Sequence, residues 1–285
     1  IDLHGDESVT MNEGSFTFCP PNNSSWAIHS NKIDLDPIDG FGEAQHAIIK
    51  FGAVPVFYLP WMSFPIDDQR RTGFLFPTLS NTSNMGLDIS TPYYLNLAPN
   101  YDAVITPRFT EHRGTSIGTK LRHLGQQSKQ DLYIYQTFGD PKTTQDSWLM
   151  EYNNKAKISD SVSSSIQIKW VSSSEILNDY GLSLSTGETD NIISNAKINY
   201  QGQTPLLNKA SLAIITHQNL STGVPAYDQL PHATFAGGLL MNEEQQVIDA
   251  NYIIDLSRFS RDTAGLTGSN KITGTRTHLL SNLST

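Results

Sequence analysis

The pentapeptide Gly114-Thr115-Ser116-Ile117-Gly118 has the G-x-S-x-G spacing of a serine hydrolase, in which a strand, a sharp turn and a helix together expose the nucleophile. Here Ser116 opens a strand candidate directly after the turn at Arg113-Gly114, so a chance match in a Ser- and Gly-rich chain accounts for it. The alternative is a lipid hydrolase that uses Ser116 with His123, which requires both side chains on one face. The eight histidines form no HExxH and no paired spacing with cysteine, so no metal site is expected. His112, His123 and His217 read as polar strand residues. The single cysteine, Cys19, is a small buried hydrophobe or, in an exported protein, half of a bridge to something outside the chain. The sequons at Asn23, Asn81, Asn219 and Asn282 carry little weight in a chain so rich in Asn, Ser and Thr. No catalytic residue and no cofactor is expected.

The elements that would position these residues are strands. From Tyr101 onward apolar and polar residues nearly alternate, the period of a strand with two chemically different faces. Tyr101, Ala103, Ile105, Pro107 and Phe109 fall opposite Asp102, Thr106, Arg108 and Thr110, with Val104 as the exception. The pattern returns at Trp148 to Ile158, broken by Leu149 and Asn154, and again at Val162 to Trp170, Ile192 to Tyr200 and Ile248 to Leu256. Turn signals separate the segments and give about twelve strand candidates between Arg70 and Leu280. The fold class is all-β. A soluble sandwich alternates in the same way, but strands of roughly 10 to 13 residues favour a transmembrane barrel. So do the aromatic residues near strand ends, such as Tyr93, Tyr94, Tyr101, Trp148, Trp170 and Tyr200.

Composition agrees with that reading. The chain is 38% apolar with a formal net charge of −9, and no run approaches the roughly 20 apolar residues of a membrane-spanning helix. Lys and Arg are scattered singly, so nucleic acid is excluded as a partner. Residues 1–59 read differently. Segments Val9 to Cys19, Trp26 to Leu35 and Gly42 to Phe51, divided by Pro20-Pro21-Asn22-Asn23 and Pro37-Ile38-Asp39-Gly40, suggest a small sandwich or jelly roll, with a second domain over 60–285. The chain opens at Ile1 without Met or a signal segment and stops just past a strand candidate, and it is expected to be a piece of a longer protein.

Between Val54 and Asp102 the sequence resembles the lipopolysaccharide assembly protein of the outer membrane, the LptD family. The resemblance rests on the order Val54-Pro55-Val56-Phe57-Tyr58, Pro60, Phe64-Pro65, Arg70 to Phe74, Pro77 and Pro92-Tyr93-Tyr94. Thr17-Phe18-Cys19 followed by Trp26, and Gly42-Glu43-Ala44, also look like that family, as more loosely do Leu230-Pro231-His232 and Thr275 to Leu280.

The resemblance implies the end of a periplasmic jelly roll followed by the first strands of a large outer-membrane barrel. It implies transport of lipopolysaccharide, taken from a periplasmic bridge protein of jelly-roll fold and released sideways into the outer-membrane lipid past a plug lipoprotein in the lumen. A plain diffusion porin is a further alternative, though it needs neither a weakened seam nor a jelly roll. Proline cannot donate to a ladder, and Pro77 and Pro92 fall within the first two barrel strands, so they are the expected lateral gate. Pro107, inside another strand candidate, shows that proline by itself marks no gate. Phe16 and Phe18 share one strand face, Trp26 and Ile28 another, which gives a candidate acyl-chain groove or equally a simple core. By the same resemblance Cys19 pairs with a cysteine beyond this chain.

Overall fold

The alternating segments fold as antiparallel strands in a computed structural model, which describes residues 2–3, 8–17, 26–38, 40–67, 69–75, 77–143, 145–182, 184, 190–221, 223–243 and 246–284. The chain divides into two units, Ile1–Leu75 with Tyr93–Asn96, and Phe76–Pro92 with Leu97–Thr285. No helix among the described residues is long and apolar enough to cross a membrane.

In the first unit β1 (Asp2–Leu3), β2 (Val9–Phe16), β3 (Trp26–Asp36), β4 (Phe41–Phe51) and β5 (Val54–Pro65) form a five-stranded sheet in sequence order. Its buried centre is Ile28, Ile33, Ala44, Ala47, Ile49 and Phe64. Strict alternation would not bury both Ala44 and Ala47, three residues apart. The reason is a transverse row in which the register sets Glu13, Asn31, His46 and Pro60 opposite one another, and none of the four enters the ladder. Glu13 and His46 take φ values of 51° and 53°, a left-handed conformation that non-glycine residues rarely adopt. The inward side of the strands therefore changes parity across the row, and both halves keep their apolar residues on the core.

That row also explains how β5 continues where the sequence reading begins a second domain: β5 runs through Pro60 to Pro65. At a position where the ladder is already interrupted, the missing N–H of Pro60 costs no hydrogen bond.

The remaining strands are β6 (Gly73–Phe74), β7 (Thr78–Thr82), β8 (Gly86–Ser90), β9 (Tyr93–Ala98), β10 (Tyr101–Thr110), β11 (Gly114–Leu124), β12 (Ser128–Phe138), β13 (Trp148–Lys157), β14 (Val162–Val171), β15 (Asn191–Thr204), β16 (Leu207–Asn219), β17 (Asp228–Glu243), β18 (Gln246–Ser260) and β19 (Gly274–Ser284). In the second unit they follow one another as β7-β8-β10 and then in sequence order to β19, every pairing antiparallel. The reading of about twelve strands undercounts because breaks at Pro77 and Pro92 leave β6, β7, β8 and β9 as four separate pieces.

The second unit's sheet is two-faced. Ile105, Phe109, Ile117, Leu121, Ile134, Ile168, Trp170, Ile198, Leu212 and Ile214 stand exposed on one side. Arg122, Asp131, Glu151, Lys169 and Lys197 alternate with them on the other. Leu149 breaks the alternation for a visible reason. It shares the polar face with Val171, and both are covered by α1 (Ser174–Tyr180), a two-turn helix in the β14–β15 connection that buries Ile176, Leu177 and Tyr180. Gly181, at φ 64°, lets the chain leave the helix in the left-handed conformation.

Gly42 measures how tightly the first unit packs. A Cβ there would stand 2.5 Å from two ring carbons of Phe64 and 2.9 Å from Leu35 Cδ2, whereas at Gly73 it would meet nothing within 4 Å. Gly42→Ala is expected to destabilise by about 1–3 kcal/mol through overpacking. Gly73→Ala is expected to change stability by no more than about 0.5 kcal/mol. Urea unfolding of the two variants checks the contrast, and equal midpoints would contradict it.

Candidate functional site

The two prolines expected to mark a gate do not lie inside strands. Pro77 immediately precedes β7, and Pro92 occupies the break between β8 and β9. The ladder around them fixes where their missing donors point. Thr91 N–H donates to Pro107 O at 3.1 Å and Glu111 N–H to Leu87 O at 2.9 Å, so odd-numbered residues of β8 face β10 and even-numbered ones face β7. Since Thr78 pairs with Ser90, the odd-numbered residues of β7 face the edge away from β8. Pro77 falls on that edge by the same alternation. Among the described residues β8 is the only strand paired with β7.

Pro107 belongs with them. Continuing the register Ser90↔Arg108, it stands opposite Thr91 in a pair that would normally exchange two hydrogen bonds. Its carbonyl accepts one, and its ring nitrogen cannot donate the other. Thr78, Ser90 and Arg108 lie on one transverse line, and Pro77, Pro92 and Pro107 fall within two residues of it on successive stretches. The sequence reading set Pro107 aside. The signal was the spacing 77, 92, 107, which strand and turn lengths convert into lateral neighbours.

The tip of the β7–β8 hairpin is held by side chains instead. Arg108 makes a paired contact to Asp88, Nε to Oδ1 at 2.9 Å and NH2 to Oδ2 at 2.7 Å, and donates to Tyr180 O at 3.1 Å. Asn84 Nδ2 donates to Asp179 O at 3.0 Å, and Met85 is buried in the α1 cluster. Behind them lies a buried ion-pair node. Arg113, with a side chain 1% exposed, reaches Asp140 at 2.7 Å and Asp179 at 2.6 Å, and Lys142 reaches Asp179 at 3.3 Å. Tyr180 hydroxyl donates to Asp140 at 3.0 Å, and the Arg113 guanidinium lies 4.9 Å from the Tyr180 ring centre.

Electrostatics follow from that geometry. Burial opposes ionisation of Asp140, but hydrogen bonds from Arg113, the Lys142 amide and Tyr180 outweigh it and hold the carboxyl below the usual range. Asp179 is lowered as well, burial again being overcome by Arg113 and Lys142. Burial and the neighbouring Asp140 push the Tyr180 phenol up. Arg113 and Asp140 are buried, Asp179 is partly exposed and Lys142 exposed, and the two cations balance the two carboxylates.

The remaining sequence candidates fare unequally. Phe16 pairs in register with Ile28, its ring 4.7 Å from Phe64, and Trp26 packs against the same cluster. These three meet in the centre of the first unit. A cavity of roughly 590 Å³ in that unit is lined instead by residues such as Thr10, Asp34, Phe41 and Ser63. Phe18 and Cys19 lie outside the described residues. The hydrolase reading is overturned. Ser116 lies within β11, buried, its hydroxyl 2.6 Å from that of Tyr135, and no helix follows. His123 is seven residues further along the same regular strand, which places it on the opposite face, roughly 23 Å away.

Arg113→Leu strands Asp140 without its cation and is expected to cost about 3–5 kcal/mol, most of it recovered in Arg113→Leu/Asp140→Leu. Because the folded-state pKa of Asp140 is depressed, its contribution is complete above its ordinary value of 3.8 and is lost as pH falls below that value. Urea unfolding of the full-length protein in lipid at pH 7 and pH 3 measures both effects. A single variant as stable as its parent would show the node to be inert.

No family model matches the chain. It is similar to proteins named LPS-assembly protein LptD. That of Pseudomonas aeruginosa (strain LESB58) is 32% identical over 263 residues, covering 89% of this chain and 28% of that one. The protein of Xylella fastidiosa (strain Temecula1) is 31% identical over 271 residues, 93% of this chain and 33% of that one. The protein of Chromohalobacter salexigens is 35% identical over 212 residues, 70% and 26%. The chain thus spans a third or less of the length of these curated relatives. With this identity running through both units, the chain belongs to the LPS-assembly protein LptD family.

Proposed function

We propose that the protein carries lipopolysaccharide to the outer leaflet of the outer membrane, by transport and not by catalysis. The first unit is the end of a periplasmic jelly roll that takes acyl chains from a bridge protein of similar fold, with Phe16, Trp26 and Ile28 on the acyl path. The second unit is the opening part of a transmembrane barrel, whose apolar face meets lipid and whose polar face lines a lumen that holds a plug lipoprotein. Cys19 forms a disulfide with a cysteine elsewhere in the full-length protein.

One observation carries the reading: a two-faced sheet whose terminal hairpin lacks backbone donors along a single line. A closed barrel has no free edge, so a lipid can leave sideways only where pairing is weak. Pro77 removes a donor from the outer edge of β7, and Pro92 and Pro107 thin the pairing behind it, each missing bond being worth about 0.5–1.5 kcal/mol net. A diffusion porin has no use for such a seam.

Replacing Pro77 and Pro92 with residues that can donate, Pro77→Ser with Pro92→Ser, is expected to strengthen the seam and slow delivery. The measurement is lipopolysaccharide reaching the cell surface when the full-length variant is the sole copy. Delivery at the parental rate would remove the gate from this reading.

A further inference from the structure

The polar face of the second unit carries a trough that neither the proposed seam nor the groups holding the β7–β8 turn use. Registered pairs run from Lys157 to Ser163, Asn199, Ser211 and Thr234, one residue from each of five consecutive strands. Directly paired residues share a face, so this row is a continuous floor of small hydroxyl and amide groups. The hydroxyls of Ser211 and Thr234 are hydrogen-bonded at 2.6 Å. Lys197, two residues from Asn199 on β15, and Lys209, two residues from Ser211 on β16, lie on opposite sides of the row. Lys157 closes its β13 end. All these residues line a cavity of roughly 600 Å³. Residues two apart on a strand are separated by about 6–7 Å and neighbouring strands by about 4.8 Å. The three ammonium groups can therefore converge on one ligand above Asn199.

Charge identifies the occupant. Among the described residues Lys197 and Lys209 have no acidic partner. Lys157 pairs only with Asp160, at 2.6 Å, and Asp160 is almost fully exposed. Such a surface pair is worth at most about 1 kcal/mol and yields readily to a better anion. Where the row continues past Thr234 it meets Asp255, which His232 holds at 2.8 Å and Arg276 approaches at 3.7 Å. The trough is thus left with uncompensated positive charge over a floor suited to sugar hydroxyls. Lysines supply compact charges for phosphate, and serine, threonine and asparagine supply the adaptable hydrogen bonds that a saccharide needs.

We propose that this trough is a binding site for a phosphate-bearing saccharide, the headgroup portion of the transported glycolipid, on its way through the lumen. The assignment rests on the transport reading above.

The test uses the full-length protein and a soluble saccharide made by removing the acyl chains from lipopolysaccharide, with its phosphates intact or removed enzymatically. Calorimetric titration is expected to show the parent binding the phosphorylated saccharide at least about tenfold more tightly than the dephosphorylated one, with the difference shrinking at high salt. Lys197→Ala/Lys209→Ala is expected to abolish that difference and Lys197→Arg/Lys209→Arg to keep it, both variants retaining the heat-modifiable migration of a folded barrel. Equal affinity of the parent for the two saccharides, or an alanine variant that still discriminates, overturns the proposal. Inorganic phosphate binding as tightly as the saccharide overturns its carbohydrate part. Surface delivery by the parent is measured alongside. Delivery without phosphate-dependent binding sinks the trough alone, and loss of delivery sinks the transport reading on which it rests.

Discussion

A backbone N–H within a sheet finds its acceptor on the neighbouring strand, and a residue that cannot donate leaves a carbonyl there without that partner. The second unit obeys this along most of its width. The β10–β11 ladder is unbroken from Tyr101 to Thr110, and that of β17 and β18 runs from Asp228 to Glu243 with one shift in register. Against that background the edge of the first hairpin is thinner. The registered β8–β10 pairing from Asp88 to Ser90 continues toward the turn through the Glu111–Leu87 and His112–Met85 hydrogen bonds, but at its other end Thr91 with Pro107 keeps one hydrogen bond where two would form. Three prolines spread through the sheet would weaken it diffusely, whereas near one transverse line they localise the weakness.

Beyond the five registered β7–β8 pairs, side chains add to the order of this hairpin. Asp88 with Arg108, Met85 under α1 and Asn84 on the Asp179 carbonyl bind the tip to groups far away in sequence. A helix of two turns is not stable alone, so α1 depends on the apolar patch formed by Leu149, Val171 and Tyr135 beneath it. The Arg113 node fixes the helix's last turn through Asp179 and Tyr180. A buried charge cluster is weak evidence for stability, since desolvation opposes the pairing. Here its value lies in geometry: it permits one position of the helix end and therefore one position of the hairpin tip.

Much of this was legible in the sequence. Period-2 alternation from Tyr101 onward gave the strands and their two faces, because apolar-face and polar-face positions cannot trade places without a shift of register. What alternation could not reveal was any contact that closes over long separations. Arg113, Asp140 and Asp179 are 27 and 39 residues apart, each unremarkable in its own turn or helix, and nothing local announces that they meet. Leu149 was visible only as a flaw in a pattern, and α1 explains the flaw. Pro107 was discounted although its missing donor faces Thr91, and Pro60 sits inside β5 because the row through Glu13 and His46 accommodates it. Proline's meaning depends on which edge its nitrogen faces, a property of register that composition does not carry.

The placement of strong and weak contacts on one hairpin also sets the direction in which it can come apart. Met85 and Asn84 are at the turn, while Pro77 and Pro92 are at the open ends of the two strands. At the turn the hairpin is secured by a buried cluster and by charge-assisted hydrogen bonds, which are stronger than neutral ones. At the open ends it lacks donors that neighbouring strands possess. Under the gate proposed above, separation would start at the prolines and travel toward the turn, stopping where the Asp88–Arg108 pair begins to resist. If the two had been exchanged, with prolines at the turn and the ion-pair node at the open ends, the strands would fray where they are already joined by the chain, and no lateral gap would result. The proposed exit needs its weak pairs in this arrangement, and the side chains that hold the turn therefore belong to the proposed seam as much as the prolines do.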